Sequence, residues 1–259
     1  MKKSVLILCI LSPLFFSCNM EKVDSFINDN GTVQLLETIS FDGILTYEFE
    51  YDSQNRISKI INHYNEKAYT IISLFYDKAG ELVSKKWEWN TAPDDCIITT
   101  YTKSKSKIVI NGDEGNFIEL DSNVLPVRMA YPGRNGSKKY AFEYQNGNLS
   151  KLIEDSFCID CTGGGLISNT QIVTYSYDNK KSPFYPCNTP KWYMVCELFN
   201  GFTGLNGFTG LINNRISDMW KSNGESNKFS YIYTYDDSGY VLTCKMHESN
   251  SIVTYTYNK

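Results

Sequence analysis

The segment Tyr47-Glu48-Phe49-Glu50-Tyr51-Asp52 alternates aromatic and acidic residues at period two and then stops at an aspartate. Strict alternation places one set of side chains on a buried face and the other in water, as in a half-buried β-strand. The unit returns at Leu74-Phe75-Tyr76-Asp77, at Tyr140-Ala141-Phe142-Glu143-Tyr144 and at Tyr231-Ile232-Tyr233-Thr234-Tyr235-Asp236. Each copy runs into a short turn: Ser53-Gln54-Asn55, Lys78-Ala79-Gly80, Gln145-Asn146-Gly147 and Asp237-Ser238-Gly239. Asn or Gly late in the turn supplies a positive φ, and the aspartate can accept backbone hydrogen bonds across it. Val173 to Asp178 and Val253 to Asn258 are strands of the same type.

Hairpins recurring at roughly 20 to 35 residues predict an antiparallel meander, and helical periodicity is nearly absent. A sheet that long must curl, split into layers or close, and a curled or closed barrel-like sheet is expected in preference to a sandwich. The chain has 259 residues, of which 19 are Tyr, a composition that favours strands. Thr99 to Asn123 keeps alternation at Ile108 and Ile110 but loses the Tyr-Asp mark. Ser182 to Asn214 breaks the pattern altogether. It gathers Pro183, Pro186 and Pro190, and it repeats Asn200-Gly201-Phe202-Thr203-Gly204-Leu205 as Asn206-Gly207-Phe208-Thr209-Gly210-Leu211. Its glycines oppose a helix, and its apolar residues suit a long loop or plug lying on the sheet.

The first residues read as an address. Lys2 and Lys3 precede an apolar run, Ser4 to Phe16, that is too short to span a bilayer, and Ser17 and Cys18 follow. This is the pattern of a lipoprotein signal cut before an acylated cysteine. The expected organisation is therefore a signal peptide over 1–17, a lipidated tether over 18–35 and a single β domain over 36–259 with an insert near 182–214. The expected location is the cell envelope, anchored by lipid at the outer membrane, with the periplasmic or surface face left open.

The lipoprotein start, the Tyr-Asp hairpins, the stretch Tyr175-Ser176-Tyr177-Asp178-Asn179-Lys180-Lys181-Ser182-Pro183-Phe184 and the later Asn213-Asn214-Arg215-Ile216 resemble a family of Bacteroidetes lipoproteins of unknown function. The resemblance implies a porin-like β fold and an envelope location; it implies no activity and no site residues. Tyr and Phe occupy successive inward positions through whole strands, whereas a membrane barrel confines aromatics to interfacial girdles. The expectation is thus a barrel not embedded in lipid, touching the membrane only through Cys18.

Few residues suggest chemistry. Net charge is −4 and basic residues do not cluster, so nucleic acid is not expected as a partner. The cysteines beyond Cys9 and Cys18 are Cys96, Cys158, Cys161, Cys187, Cys196 and Cys244. In an oxidising compartment these are disulfide candidates, Cys187 with Cys196 first; free thiols and a zinc site using Cys158, Cys161, Cys187 and Cys196 are the alternatives. His63 and His247 are the two histidines, and neither lies near a Ser or Cys motif. No catalytic residue, metal or cofactor is assigned. Trp87 and Trp89 share a strand face and, with Phe202 and Phe208 of the duplicated insert, are the candidate ligand contacts. The expected role is a non-catalytic envelope module binding an unidentified ligand or protein. The alternative is a carboxylate-based hydrolase of envelope or dietary glycans, for which two convergent acids would be required.

Overall fold

The computed structural model describes residues 33–133, 136–159, 166–199, 210–247 and 250–258. Cys18 and the stretches expected to be a signal peptide and most of a tether lie outside them. The strands are β1 (Leu36–Phe41), β2 (Ile44–Tyr51), β3 (Ile57–His63), β4 (Tyr69–Tyr76), β5 (Leu82–Trp89), β6 (Ala92–Ser104), β7 (Lys107–Ile110) and β8 (Asp113–Leu120). They continue as β9 (Pro126–Gly133), β10 (Gly136–Gln145), β11 (Asn148–Ile159), β12 (Leu166–Lys181), β13 (Asn213–Ser222), β14 (Glu225–Tyr235), β15 (Val241–Met246) and β16 (Ile252–Tyr257). Each strand pairs antiparallel with its neighbours in sequence, and β1 pairs with β16, closing a barrel.

The hairpin residues explain the curl. Pairing slips between Glu50 and Tyr51, Phe75 and Tyr76, Glu143 and Tyr144, and Ser176 and Tyr177, a bulge just before each strand's last tyrosine. Bulges increase local twist and bend the strand. Several strand-end tyrosines then reach back across the hairpin. Tyr51, Tyr76 and Tyr144 donate their hydroxyls to the carbonyls of Leu36, Ile57 and Pro126, each at 2.8 Å. Tyr177, Tyr233 and Tyr257 do the same to Leu149, Arg215 and Val241 at 2.7, 2.9 and 3.0 Å. β6 and β8 end in Ser104 and Leu120 instead, within the stretch whose sequence lacks the Tyr-Asp mark. In the turns, the Asp52 carboxylate accepts the amides of Gln54 and Arg56 at 2.9 and 3.0 Å, and Asp77 and Asp236 hold their own turns likewise.

Up-and-down connectivity fixes two ends. Turns after even-numbered strands, including the Asp52, Asp77 and Asp236 turns, gather at one end, and turns after odd-numbered strands gather at the other. The chain between β12 and β13 leaves and returns at the first end. A barrel of 16 strands is too wide for its wall side chains alone to fill. Here the β12–β13 segment fills it. After a turn at Ser182–Cys187, a short helix α1 (Lys191–Tyr193) continues into a π-helical turn (Met194–Phe199). Phe184, Trp192, Tyr193, Met194 and Leu198 belong to the same buried core as Phe49, Ile60 and Ile118 of the wall. The Phe184 ring meets Phe49 edge-on at 5.3 Å, and Trp192 meets Tyr101 at 5.1 Å.

The expected loop lying on the sheet is therefore corrected. The plug packs inside the barrel, and its buried element is helical, because Lys191–Phe199 precedes the glycine-rich duplication and contains no Gly or Pro. The two ends of the insert are clamped by residues of the Tyr-Asp-Asn-Lys-Lys and Asn-Asn-Arg-Ile stretches. The Asp178 carboxylate accepts the Asn214 amide at 3.0 Å and also the Tyr235 hydroxyl. The Asn148 side-chain carbonyl accepts the amides of Ile212 and Asn213 at 3.0 and 3.1 Å. Leu35 is buried, and its amide bonds Asn258 at 2.6 Å, at the plugged end.

The outer face is polar. Glu50 stands opposite Lys59, Glu143 opposite Lys151, and Lys151 opposite Thr174. Thr38 and Thr256 join hydroxyls at 2.6 Å, as do Thr234 and Thr243. Exposed apolar residues such as Phe75, Ile98 and Ile232 are scattered among them. A lipid-facing wall needs an apolar band about 25 Å tall, and a charged side chain at its midplane costs roughly 2 to 4 kcal/mol. Polar residues outside and aromatics inside are the reverse of that arrangement.

Candidate functional site

The plug leaves space toward the unplugged end, divided into two chambers. The first, about 430 Å³, is built from β4, β5, β6 and β9 and from the plug. Register aligns Ile72, Trp87 and Ile97 in one row across three strands. One step deeper, Lys85 stands beside Thr99 and reaches the plug, where its Nζ meets Glu197 Oε2 at 2.5 Å. Glu197 is 5% exposed, and Lys85 sets the opposite charge directly beside it. Burial, and then the Glu197 charge, push the Tyr131 phenol up to about 12 and the Tyr101 phenol higher still. Tyr131 lines the chamber as a neutral hydroxyl.

Toward the rim, Trp87 meets Trp89 edge-on at 5.4 Å, and Trp89 lies 5.1 Å from Tyr64. Tyr64 and Ile97 are exposed and line the chamber, which therefore opens to solvent at this end. The aromatics form a stair from the rim down to the ion pair.

The second chamber, about 340 Å³, lies on the other side of the plug, against β10 to β15, and Phe199 of the plug contributes to its lining. Arg215 sits at its base with its guanidinium 5.2 Å from the Tyr175 ring and 5.3 Å from the Tyr231 ring. Its nearest carboxylate, Asp218, is 3.8 Å away and accepts the Trp220 indole N–H at 2.8 Å and the Tyr231 hydroxyl at 3.2 Å. Burial raises the Tyr175 phenol to about 12, so it too is a neutral hydroxyl. Glu154 lines the same space and pairs with Lys138 at 2.6 Å.

Glu154 and Asp218 are thus two acids facing one cavity, but register separates them. Glu154 pairs with Gln171 and Asp218 with Tyr175, four residues further along β12 and one strand beyond it. Between their backbones that is about 13 Å along the strand and about 10 Å across.

Of the sequence candidates, Trp87 lines the first chamber and Trp89 stacks above it. Phe202 and Phe208 lie outside the described residues, as do Cys18 and Cys161. Cys158 falls in β11. The pair expected first, Cys187 with Cys196, is not formed: both are free thiols, as are Cys96 and Cys244. Cys187 instead donates to the Thr189 hydroxyl at 3.1 Å, while Cys196 faces the core from the π-helical turn. Burial pushes both thiols up, which suppresses the reactive thiolate. Among the described residues, no three His, Cys, Asp or Glu side chains gather as metal ligands. Sequence reading missed Lys85, Glu197, Arg215 and Asp218. Lys85 was detectable as a charge sharing the inward parity of Trp87 and Trp89.

No protein family profile matches the chain, and no curated protein sequence matches it. Among solved structures it is similar to a porin-like protein from Bacteroides uniformis, at 15% identity and a TM-score of 0.37, covering 86% of this chain and 96% of that one.

Proposed function

We propose that this chain is a non-catalytic binding module of the cell envelope whose ligand enters the unplugged end of the barrel and lodges beside Trp87. The observation that carries this reading is the first chamber, an aromatic-lined cavity of about 430 Å³ with one buried ion pair at its floor. Its size and mixed lining suit a small ligand or the end of a larger one. The recurring bulge, strand-end tyrosine and aspartate turn support reading the hairpins as copies of one unit, as the lipoprotein resemblance implies.

The anchor belongs to the same proposal. Leu35 leaves the barrel at the plugged end. A lipid on Cys18 would therefore hold that end toward the membrane and direct the chambers away from it. The polar wall needs no lipid contact of its own. Titrating the protein with soluble oligosaccharides and peptides while following tryptophan fluorescence tests the site. A saturable change that Trp87→Ala abolishes, with the melting profile retained, is expected. Binding that is indifferent to Trp87→Ala would remove the first chamber from the account.

A further inference from the structure

The second chamber carries an inference separate from the first. We propose that it is a distinct site for an uncharged sugar unit, bound between the Trp220 and Phe229 rings and the Arg215, Asp218 and Glu154 side chains. Charge selects the ligand class. Arg215 is offset by Asp218, and Glu154 by Lys138, so the fixed charges cancel pairwise. An ionic ligand would bring an uncompensated charge into a largely buried space, which desolvation opposes. A neutral ligand with many hydroxyls finds both donors and acceptors there, because the guanidinium only donates and the carboxylates only accept.

Shape selects further. Tyr140, Trp220, Phe229 and Tyr231 present ring faces or edges to the cavity. A pyranose ring offers the complement, a flat C–H face with hydroxyls around its edge. The indole is held in place, since its N–H is committed to Asp218. Phe229, Trp220 and Gln171 also line a shallower hollow toward the rim with Glu225 and Asn227, which gives the chamber an approach from solvent. The volume, about 340 Å³, falls at the small end of ligand cavities and fits a terminal unit better than an internal stretch of chain.

Gln171 is half-buried at the mouth, opposite Glu154 on β11 and four residues along β12 from Tyr175, so enlarging it blocks the chamber at a distance from the Arg215–Asp218 base. The full-length protein is screened on a glycan array containing neutral and acidic members, and each hit is measured by calorimetry. A neutral glycan is expected to bind wild type and Trp87→Ala, to weaken about tenfold in Trp220→Ala, and to be lost in Gln171→Trp. A tenfold loss corresponds to about 1.4 kcal/mol. If Gln171→Trp loses its native near-ultraviolet dichroism, Phe229→Ala takes its place. Retention of acidic glycans alone, neutral binding that survives the blocking variant, or an array without a retained neutral glycan overturns the proposal. Binding lost in Trp87→Ala but not in Gln171→Trp would assign sugar to the first chamber and also refute this one.

Discussion

Replacing Thr189 with valine removes the hydroxyl that seats the plug against the wall. Thr189 is 2% exposed, and its hydroxyl accepts the amide of Ile57, itself fully buried, at 2.8 Å. Ile57 is the first residue of β3, placed opposite the bulged Tyr51. Asn188 anchors the same point through its own amide to the Asn55 carbonyl at 2.9 Å. Valine keeps the shape of threonine, so packing changes little, but it removes the hydroxyl that accepts both the buried Ile57 amide and the Cys187 thiol. Such a loss costs about 1 to 3 kcal/mol. For a domain of this size each kcal/mol moves the melting temperature by about 2 to 4 °C, so the variant should melt roughly 2 to 12 °C lower. Urea unfolding followed by circular dichroism gives the free energy, and hydrogen exchange at Ile57 gives the local effect. Thr189→Ser retains the acceptor and should keep most of the stability and the slow exchange. A Thr189→Val protein within about 0.5 kcal/mol of wild type, or a Thr189→Ser protein equally destabilised, would refute the role assigned to the hydroxyl.

Three further outcomes are expected. Val124 sits in the left-handed region at φ 62°, which costs a β-branched residue about 1 to 2 kcal/mol, so Val124→Asn should raise the melting temperature by a few degrees; an unchanged or lower value would show that the strain is absent. Burial holds the phenols of Tyr51, Tyr193, Tyr233 and Tyr255 well above their ordinary 10.0. The unfolded chain releases those protons near pH 10 and the folded chain keeps them, so stability is intact below that pH and falls as pH rises beyond it. Tyrosinate absorbance should then appear together with unfolding, and gradual ionisation in the folded protein would contradict this. Phe49→Ala should cost about 3 to 5 kcal/mol by emptying a site packed on Phe184, whereas Glu50→Ala on the outer face should cost under about 1 kcal/mol; equal losses in denaturant titrations would mean the wall faces the other way.

Wall and interior differed in how far the sequence revealed them. Tyr47, Phe49 and Glu50 announce their faces by alternation, and the structure buries the first two and exposes the third. Glu48 is half-buried instead, because it lies 2.5 Å from His63 across the hairpin. A curled or closed sheet was legible as a consequence of the number of hairpins in the meander. The plug was legible only as an interruption: Lys191 to Phe199 is short, and its burial depends on a barrel lumen that local periodicity cannot reveal. The ion pairs were hidden for the same reason. Lys85 meets Glu197 across 112 positions of sequence, and only the plug's return path brings them together. The Cys187–Cys196 expectation rested on loop length, while the helical turn takes Cys196 into the core and the Thr189 turn holds Cys187 at the wall.

The account stands most directly on whether the barrel wall faces water. Protein in which residues 1–18 are replaced by a cleavable secretory signal without the cysteine, expressed in its native envelope and fractionated without detergent, measures this. The polar wall predicts a monomer in the aqueous fraction that sediments as a single species and keeps its β-sheet dichroism. A protein so processed, lacking both the apolar leader and the cysteine, that stays in the membrane fraction and is released only by detergent would contradict a water-facing wall, because the wall itself would then be holding it there.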